Sequence, residues 1–411
     1  MRGMKDSGVE WIGEIPKNKR IIRNKYLLEY IKGKLPTDTN FESAGFPYIG
    51  ATDLDSHEPC KTYTRDETLP DACDSDLLVL WDGARAGLCG THKVGKFSST
   101  IVRIREVDST IYRPFLYWYY KGFEDYMYQR VNGTTIPHMN RKYIEEIQMI
   151  DWTAQEQQHI SDYLDRKCSQ IDAIIARQQK VIEKLKAYKL SVITEAVTKG
   201  LNTDVPMKDS GVEWIGEIPE DWEVMKFGRC ATIKSNLVAP NDYADYPQIS
   251  PDSIEKNSGR ILEYKTVKES GVISWNHLFF KGQIIYSKIR PMLNKVAIAP
   301  FDGLCSADMY PIETNNNTQF LVYMMLSDYF TSQVGLVTEN RVKMPKINQN
   351  ELGAIMVTIP SQSEQETISK YLLEKCSSID AVIDKKQSLI GKLIDYKKSL
   401  IYEVVTGKKE V

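Results

Sequence analysis

Apolar residues recur at three- and four-residue spacings through two long stretches of the 411-residue chain. In the first, Ile171, Ile174, Val181, Leu185, Tyr188 and Val192 mark a stripe that Ile175 and Ile182 widen. Lys, Glu, Gln and Arg fill the positions between, and neither Gly nor Pro interrupts 169–199. The second stretch carries Ile379, Val382, Leu389, Leu393, Tyr396 and Leu400 and tolerates only Gly391. This period predicts amphipathic helices. Stripes so long need a partner, and the two helices fit each other as an intramolecular antiparallel pair. A core helix inside an ordinary domain is the plainer alternative.

Elsewhere the apolar runs are short. "DLLVLWDG" (76–83), "STIVRIR" (99–105), "GQIIYSKIR" (282–290) and "KVAIAPF" (295–301) predict strands. "RPFLYWYYKGFEDYMYQRV" (113–131) and "TQFLVYMMLSDYFTSQV" (318–334) predict aromatic-rich helices at equivalent places. The regions around them, roughly 17–153 and 220–361, read as α/β.

The equivalence is a true internal repeat. "MKDSGVEWIGEIP" stands at 4–16 and, unchanged, at 207–219. Residues 156–200 match 364–408 at an offset of 208, pairing Tyr163 with Tyr371, Cys168 with Cys376, Asp172 with Asp380 and Tyr188 with Tyr396. "IPHMNRKYIEEI" (136–147) and "MPKINQNELGAI" (344–355) align Pro137 with Pro345 and Asn140 with Asn348, as a loop and short helix closing back toward the coil. "FPYIGATD" (46–53) resembles "YPQISPDS" (246–253) more weakly. The expected plan is tag and domain (1–153), helix (154–203), tag and domain (204–361), helix (362–411): two α/β recognition domains of similar fold separated by a long antiparallel α-helical coiled coil.

Composition adds exclusions. Apolar content of 42% and charge of 26% are ordinary for a soluble protein, and a net charge of −2 announces no basic field. The seven scattered cysteines form no CxxC pair, which predicts reduced thiols in a cytoplasmic protein, and no run approaches the ~20 apolar residues of a membrane span. No phosphate loop, G-x-G-x-x-G turn, aminomethyltransferase N/D-P-P-Y/F motif or G-x-S-x-G elbow occurs, and the five histidines lack metal-ligand spacing. One permissive pattern remains: Asp252, Glu263 and Lys265 fit the PD…ExK arrangement of metal-dependent nucleases. The first half has no counterpart, and a pattern this permissive arises by chance in an acidic loop, so it is read as a decoy.

Candidate DNA contacts sit in loops at matching places. The first half offers Arg85, His92, Lys93 and Lys96 in a glycine-rich loop, then Thr134, Thr135, His138, Asn140 and Arg141. The second offers Lys288, Arg290, Asn294 and Lys295, then Asn340, Arg341, Lys343 and Lys346. Arg or Lys can bond guanine, Asn can bond adenine, and the others can hold phosphates. Solvated loops are the bland alternative, and Asn140 and Asn348 also suit turns. About 30 helical residues at ~1.5 Å each make a rod of roughly 45 Å, which would hold two domains about one helical turn of B-DNA apart, where successive major grooves are spaced ~34–36 Å.

The duplicated tag, continued as "SGVEWIGEIPEDWEV" (210–224), resembles the start of a recognition domain in type I restriction–modification specificity subunits. "EQETISKYLLEKCSSIDAVI" and its twin resemble that family's spacer helices, and 284–312 is similar to its central strands. Lys19 stands where the family has a Trp, as at Trp222, and Trp152 where it has a Pro, as at Pro360. The resemblance implies a non-catalytic subunit reading a bipartite, asymmetric site on double-stranded DNA. It implies two copies of an S-adenosylmethionine-dependent adenine methyltransferase as modification partners, with restriction subunits that use ATP and Mg²⁺, and no cofactor on this chain. Two equal docking surfaces would then explain the duplicated tag and helix; recent recombination is the competing explanation. A coiled-coil scaffold with protein-binding domains is the alternative function.

Overall fold

The computed structural model describes residues 3–411 apart from 57, 108, 130–137, 140–143, 145–146, 340 and 342, and the side chain of Tyr26. The chain divides into two units, Met1–Gln178 with Ser388–Val411, and Gln179–Gln387. Both long helices, Ala154–Lys199 and Gln362–Val405, contribute to each unit.

In the first unit the tag is a hairpin, Met4–Asp6 against Glu14–Pro16. The run "LLVL" becomes a strand, Leu77–Leu80, buried at every position. It lies between Ile101–Glu106 and Cys89–Gly90, with Leu28–Lys32 beyond Ile101–Glu106. A second sheet orders Tyr63–Thr64, Phe46–Ile49, Gly95–Phe97 and Asp71–Ala72, and only its two middle strands run parallel. The aromatic segment expected as one helix is two, Arg113–Lys121 and Glu124–Gln129. Gly122 ends the first, and a Cβ there would come within 2.9 Å of Val405, so the close approach requires glycine.

The second unit repeats the plan. Met207–Asp209 pairs with Glu217–Pro219, and one sheet orders Ala231–Ile233, Met309–Thr314, Ile284–Ser287 and Val296–Ile298. In the other sheet Pro247–Ile249 runs parallel to Gly303–Ser306, as Phe46–Ile49 does to Gly95–Phe97. The aromatic helix again divides, into Thr318–Leu326 and Asp328–Thr338. Ser327 leaves helical geometry (ψ 154°), and Asp328 begins the new helix where an acidic side chain favours the helix dipole.

The long helices pair antiparallel inside each unit. In the first, Trp152 Nε1 donates to Val405 O (3.1 Å), while Lys397 Nζ meets Asp172 Oδ2 at 2.6 Å. In the second, Thr358 Oγ1 donates to Val197 O (2.7 Å), while Lys189 Nζ meets Asp380 Oδ2 at 2.7 Å. The seam, buried or half-buried at every position, follows a seven-residue repeat: Ile171, Ile175, Gln178, Ile182, Leu185, Lys189, Val192 and Ala196, with Ile379, Ile383, Lys386, Ile390, Leu393, Lys397, Leu400 and Val404 as counterparts. This corrects the predicted stripe. Ile174, Tyr188, Val382, Leu389 and Tyr396 flank the seam and are exposed by 41–52%.

The two departures from the resembled family cancel. In the second unit Trp222 is buried against Gly200, whose φ is +73°. In the first, Trp152 packs on Gly407, φ +75°, with Pro16 alongside. Lys19 lies over the Trp152 ring, 4.8 Å from its centroid, and pairs with Glu156. An indole therefore packs against a helix-capping glycine in both units, supplied from opposite ends of the domain sequence.

Candidate nucleic-acid interface

Two loops far apart in sequence are joined in each unit. The strands Leu77–Leu80 and Ile284–Ser287 correspond at an offset of 207, and the turns that follow share main-chain hydrogen bonds. Leu80 N donates to Leu88 O (2.8 Å) as Ser287 N does to Lys295 O (2.9 Å). Ala86 N donates to Gly83 O (3.0 Å) as Leu293 N does to Arg290 O (2.8 Å). A bridge then ties each turn to the second loop: Asp82 with His138, and Ile289 with Lys346. Met139 N to Trp81 O (2.8 Å) and Ile347 N to Lys288 O (2.9 Å) complete the match. The sequence placed candidate residues on both loops; the structure brings the loops together.

In the second unit the cluster is cationic but largely paired. Lys346 Nζ meets Asp308 at 3.0 Å, and Arg341 pairs with Glu351 and donates to Lys346 O. The Arg341 guanidinium holds the Glu351 carboxyl below the usual range, and Glu351 also closes a capping box with Asn348. Asn348 is therefore a helix cap. Lys288 is half-buried over the Tyr310 ring (5.3 Å to its centroid), and Lys295 donates to Pro251 O at 2.7 Å. Arg290 and Lys343 are exposed and make no side-chain hydrogen bond or ion pair among the described residues. Asn294 is removed from the candidates: it is 1% exposed, and its amide donates to Met325 O (3.0 Å) inside the fold.

In the first unit His138 Nδ1 lies 2.7 Å from Asp82, which also pairs with Lys32 at 3.2 Å. Arg85 is held by Asp55 (2.6 Å) and Ala51 O (3.1 Å), His92 by Asp74 (3.0 Å), and Lys93 by Ser56 O (2.5 Å). Lys96 is also removed from the candidates: at 4% exposure it donates to Glu67 O and Leu69 O. Thr134, Thr135, Asn140, Arg141 and Asn340 lie outside the described residues. Lys32 ends a strand and so falls outside the loops that the sequence singles out, and the carboxylates Asp82, Asp308 and Glu351, which fix the cations in place, carry no signal of a DNA contact.

Asp252, Glu263 and Lys265 do line one open groove of the second unit, about 560 Å³ in volume. Lys295 is 3.4 Å from Asp252, and among the described residues no three His, Cys, Asp or Glu side chains converge for a metal.

The chain has known relatives in sequence and in fold. The model of the type I restriction modification DNA specificity domain matches residues 16–184 and again 219–388. The EcoDI type I restriction enzyme specificity subunit of Escherichia coli is 30% identical over 385 residues, covering 90% of this chain and 84% of that protein. The MjaVIII type I restriction enzyme specificity subunit of Methanocaldococcus jannaschii is 27% identical over 397 residues, 91% of this chain and 88% of that one. A solved chain from a study of complex assembly and conformational transition of the type I R-M system shares the fold, with a TM-score of 0.68 at 12% identity over 95% of this chain and 98% of that one.

Proposed function

The chain belongs to the type I restriction–modification DNA specificity family, and from that premise we propose that it reads a bipartite, asymmetric DNA sequence, one part with each unit. One observation carries the reading: the same main-chain frame joins two loops in both units, while the side chains it presents differ. A frame used twice with different outward groups suits two different half-sites.

The repeated elements, tag hairpin and long helix, suit two copies of one partner. In this reading they dock two modification subunits, adenine methyltransferases that bind S-adenosylmethionine, and restriction subunits bring ATP and Mg²⁺. The chain itself is non-catalytic and holds none of these cofactors. It works where the DNA is, in the cytoplasm; among the described residues no helix is long and apolar enough to cross a membrane.

The test is to map methylated adenines in DNA exposed to this chain with its modification partner. A split motif with a fixed gap is the expected result. Methylation or cleavage by the chain alone, or methylation without a motif, overturns the reading.

A further inference from the structure

Two positions in the turn that follows Leu77–Leu80 in the first unit and Ile284–Ser287 in the second have positive φ. In the first unit they are glycines, Gly83 (φ +114°) and Gly87 (φ +97°). In the second they are Arg290 (φ +44°) and Asn294 (φ +43°). The correspondence holds at the same offset of 207 that aligns the strands and their hydrogen bonds. A left-handed backbone is disfavoured for any residue with a Cβ, and glycine adopts it freely. Asn294 has a visible reason to be there, because its buried side chain anchors the turn through Met325 O. Arg290 has no such reason within the fold: it is exposed and bonds to no described side chain or carbonyl through its guanidinium.

The backbone of Arg290 is nevertheless tightly held. Its N–H donates to Pro345 O (2.8 Å), its carbonyl accepts from Leu293 N (2.8 Å), and Pro291 follows it. Ser287 Oγ donates to Ile289 O (3.1 Å) just before it. Among its cationic neighbours, Arg341 and Lys346 are held by carboxylates, which leaves Arg290 and Lys343 as the outward charges of the cluster. A phosphate needs only charge, and Lys343 supplies that on an ordinary backbone. A fixed main chain bearing a planar two-pronged donor matches a different task, the pairing of two acceptors on one base edge.

Resting on the reading of the chain as a DNA specificity subunit, we propose that Arg290 is the specificity-determining residue of the second unit, pairing its guanidinium with O6 and N7 of one guanine in the major groove. The first unit, with Gly83 at the same place, makes no equivalent contact and reads its half-site through other groups.

The experiment selects bound duplexes from a pool randomised over ~40 base pairs, at a fixed salt of about 150 mM, using the full-length wild-type chain and the variants Arg290→Gly and Arg290→Lys. Arg290→Gly installs the residue the first unit uses, so its melting temperature should match or exceed that of the wild type. The wild type should enrich a two-part motif. Arg290→Gly should lose preference at one guanine in one part, keep the other part, and bind the wild-type motif roughly 10- to 100-fold more weakly. Arg290→Lys should fail to restore that guanine. An unchanged motif in Arg290→Gly, rescue by Arg290→Lys, or equal weakening on every sequence overturns the inference alone. If the wild type enriches no motif, the specificity reading falls and this inference falls with it.

Discussion

Lys189 and Asp380 meet in the helical seam of the second unit with Nζ 2.7 Å from Oδ2, and Asp172 with Lys397 is the same contact displaced by 208 residues in each partner. The copies differ in burial: the Lys189 side chain is 7% exposed and that of Lys397 25%. Removing Lys189 leaves a partly buried carboxylate without its partner. Lys189→Ala should cost about 2 kcal/mol, and Lys397→Ala less, in urea unfolding of the full chain. Equal losses would contradict the assigned seam.

The seam also separates two apolar-stripe positions, one Leu and one Tyr, that the period alone makes equivalent. Leu185 lies in the seam, whereas Tyr188 is 49% exposed beside it. Leu185→Asp should lower stability by about 2–3 kcal/mol, and Tyr188→Asp by no more than about 0.5 kcal/mol. Thermal melts followed at 222 nm (a helix signal) decide the matter.

Trp152 and Lys19 occupy places that Pro360 and Trp222 occupy in the other copy. Trp152→Ala should cost about 3–5 kcal/mol, as should Trp222→Ala. The double change Lys19→Trp with Trp152→Pro recreates the second unit's arrangement, so it should be more stable than either single change. Additive losses in the double variant would show that the two indoles do not fill equivalent space.

Asp76 anchors the first unit, its carboxyl wholly buried and bonded to Arg105 (Nε, 2.7 Å) and to Cys73 N (2.8 Å). Burial pushes this carboxyl up, but the Arg105 and Cys73 bonds outweigh it and leave it below the ordinary range. A depressed folded value means that the stabilisation is present above the unfolded pKa of about 4 and is lost as pH falls through the folded value. Asp76→Asn should therefore cost about 3 kcal/mol or more at neutral pH, with the deficit shrinking in acid. A deficit constant from pH 7 to pH 3 would rule out the charged pairing.

Lys343 and Lys96 should separate binding from folding. Lys343→Ala should weaken binding to every duplex alike and reduce the salt-dependence slope by about 0.9. Lys96→Met should leave that slope unchanged and lower stability by about 1–3 kcal/mol, because the carbonyls of Glu67 and Leu69 lose their donor.

The architecture was legible because its signals are local or repeated. The period from Ile171 to Val192 marked a helix, and matched segments at one offset marked two copies of one plan. The seam was misplaced because Ile174 and Ile175, or Val181 and Ile182, are adjacent apolar residues, and only the partner helix decides which turns inward. The aromatic segments were read as single helices because composition reveals neither the close approach of Gly122 to Val405 in the first unit nor the extended ψ of Ser327 in the second. Lys96 and Asn294 looked like DNA contacts because residue type is visible in sequence and burial is not. Arg341 looked free because Glu351 stands ten residues away, on a helix whose capping box orients it.

The bonds that recur in the paired loops of both units, from Leu80–Leu88 to Lys288–Ile347, join peptide groups, and each unit adds inward side-chain anchors of its own, such as Asn294. Mutation at the outward positions can therefore accumulate without unfastening the loops, so long as the backbone geometry is met. Glycine in one unit and arginine in the other are two outcomes already sampled within a single gene product. A change of preference then needs no more than a new side chain at an outward position, on a backbone left as it is.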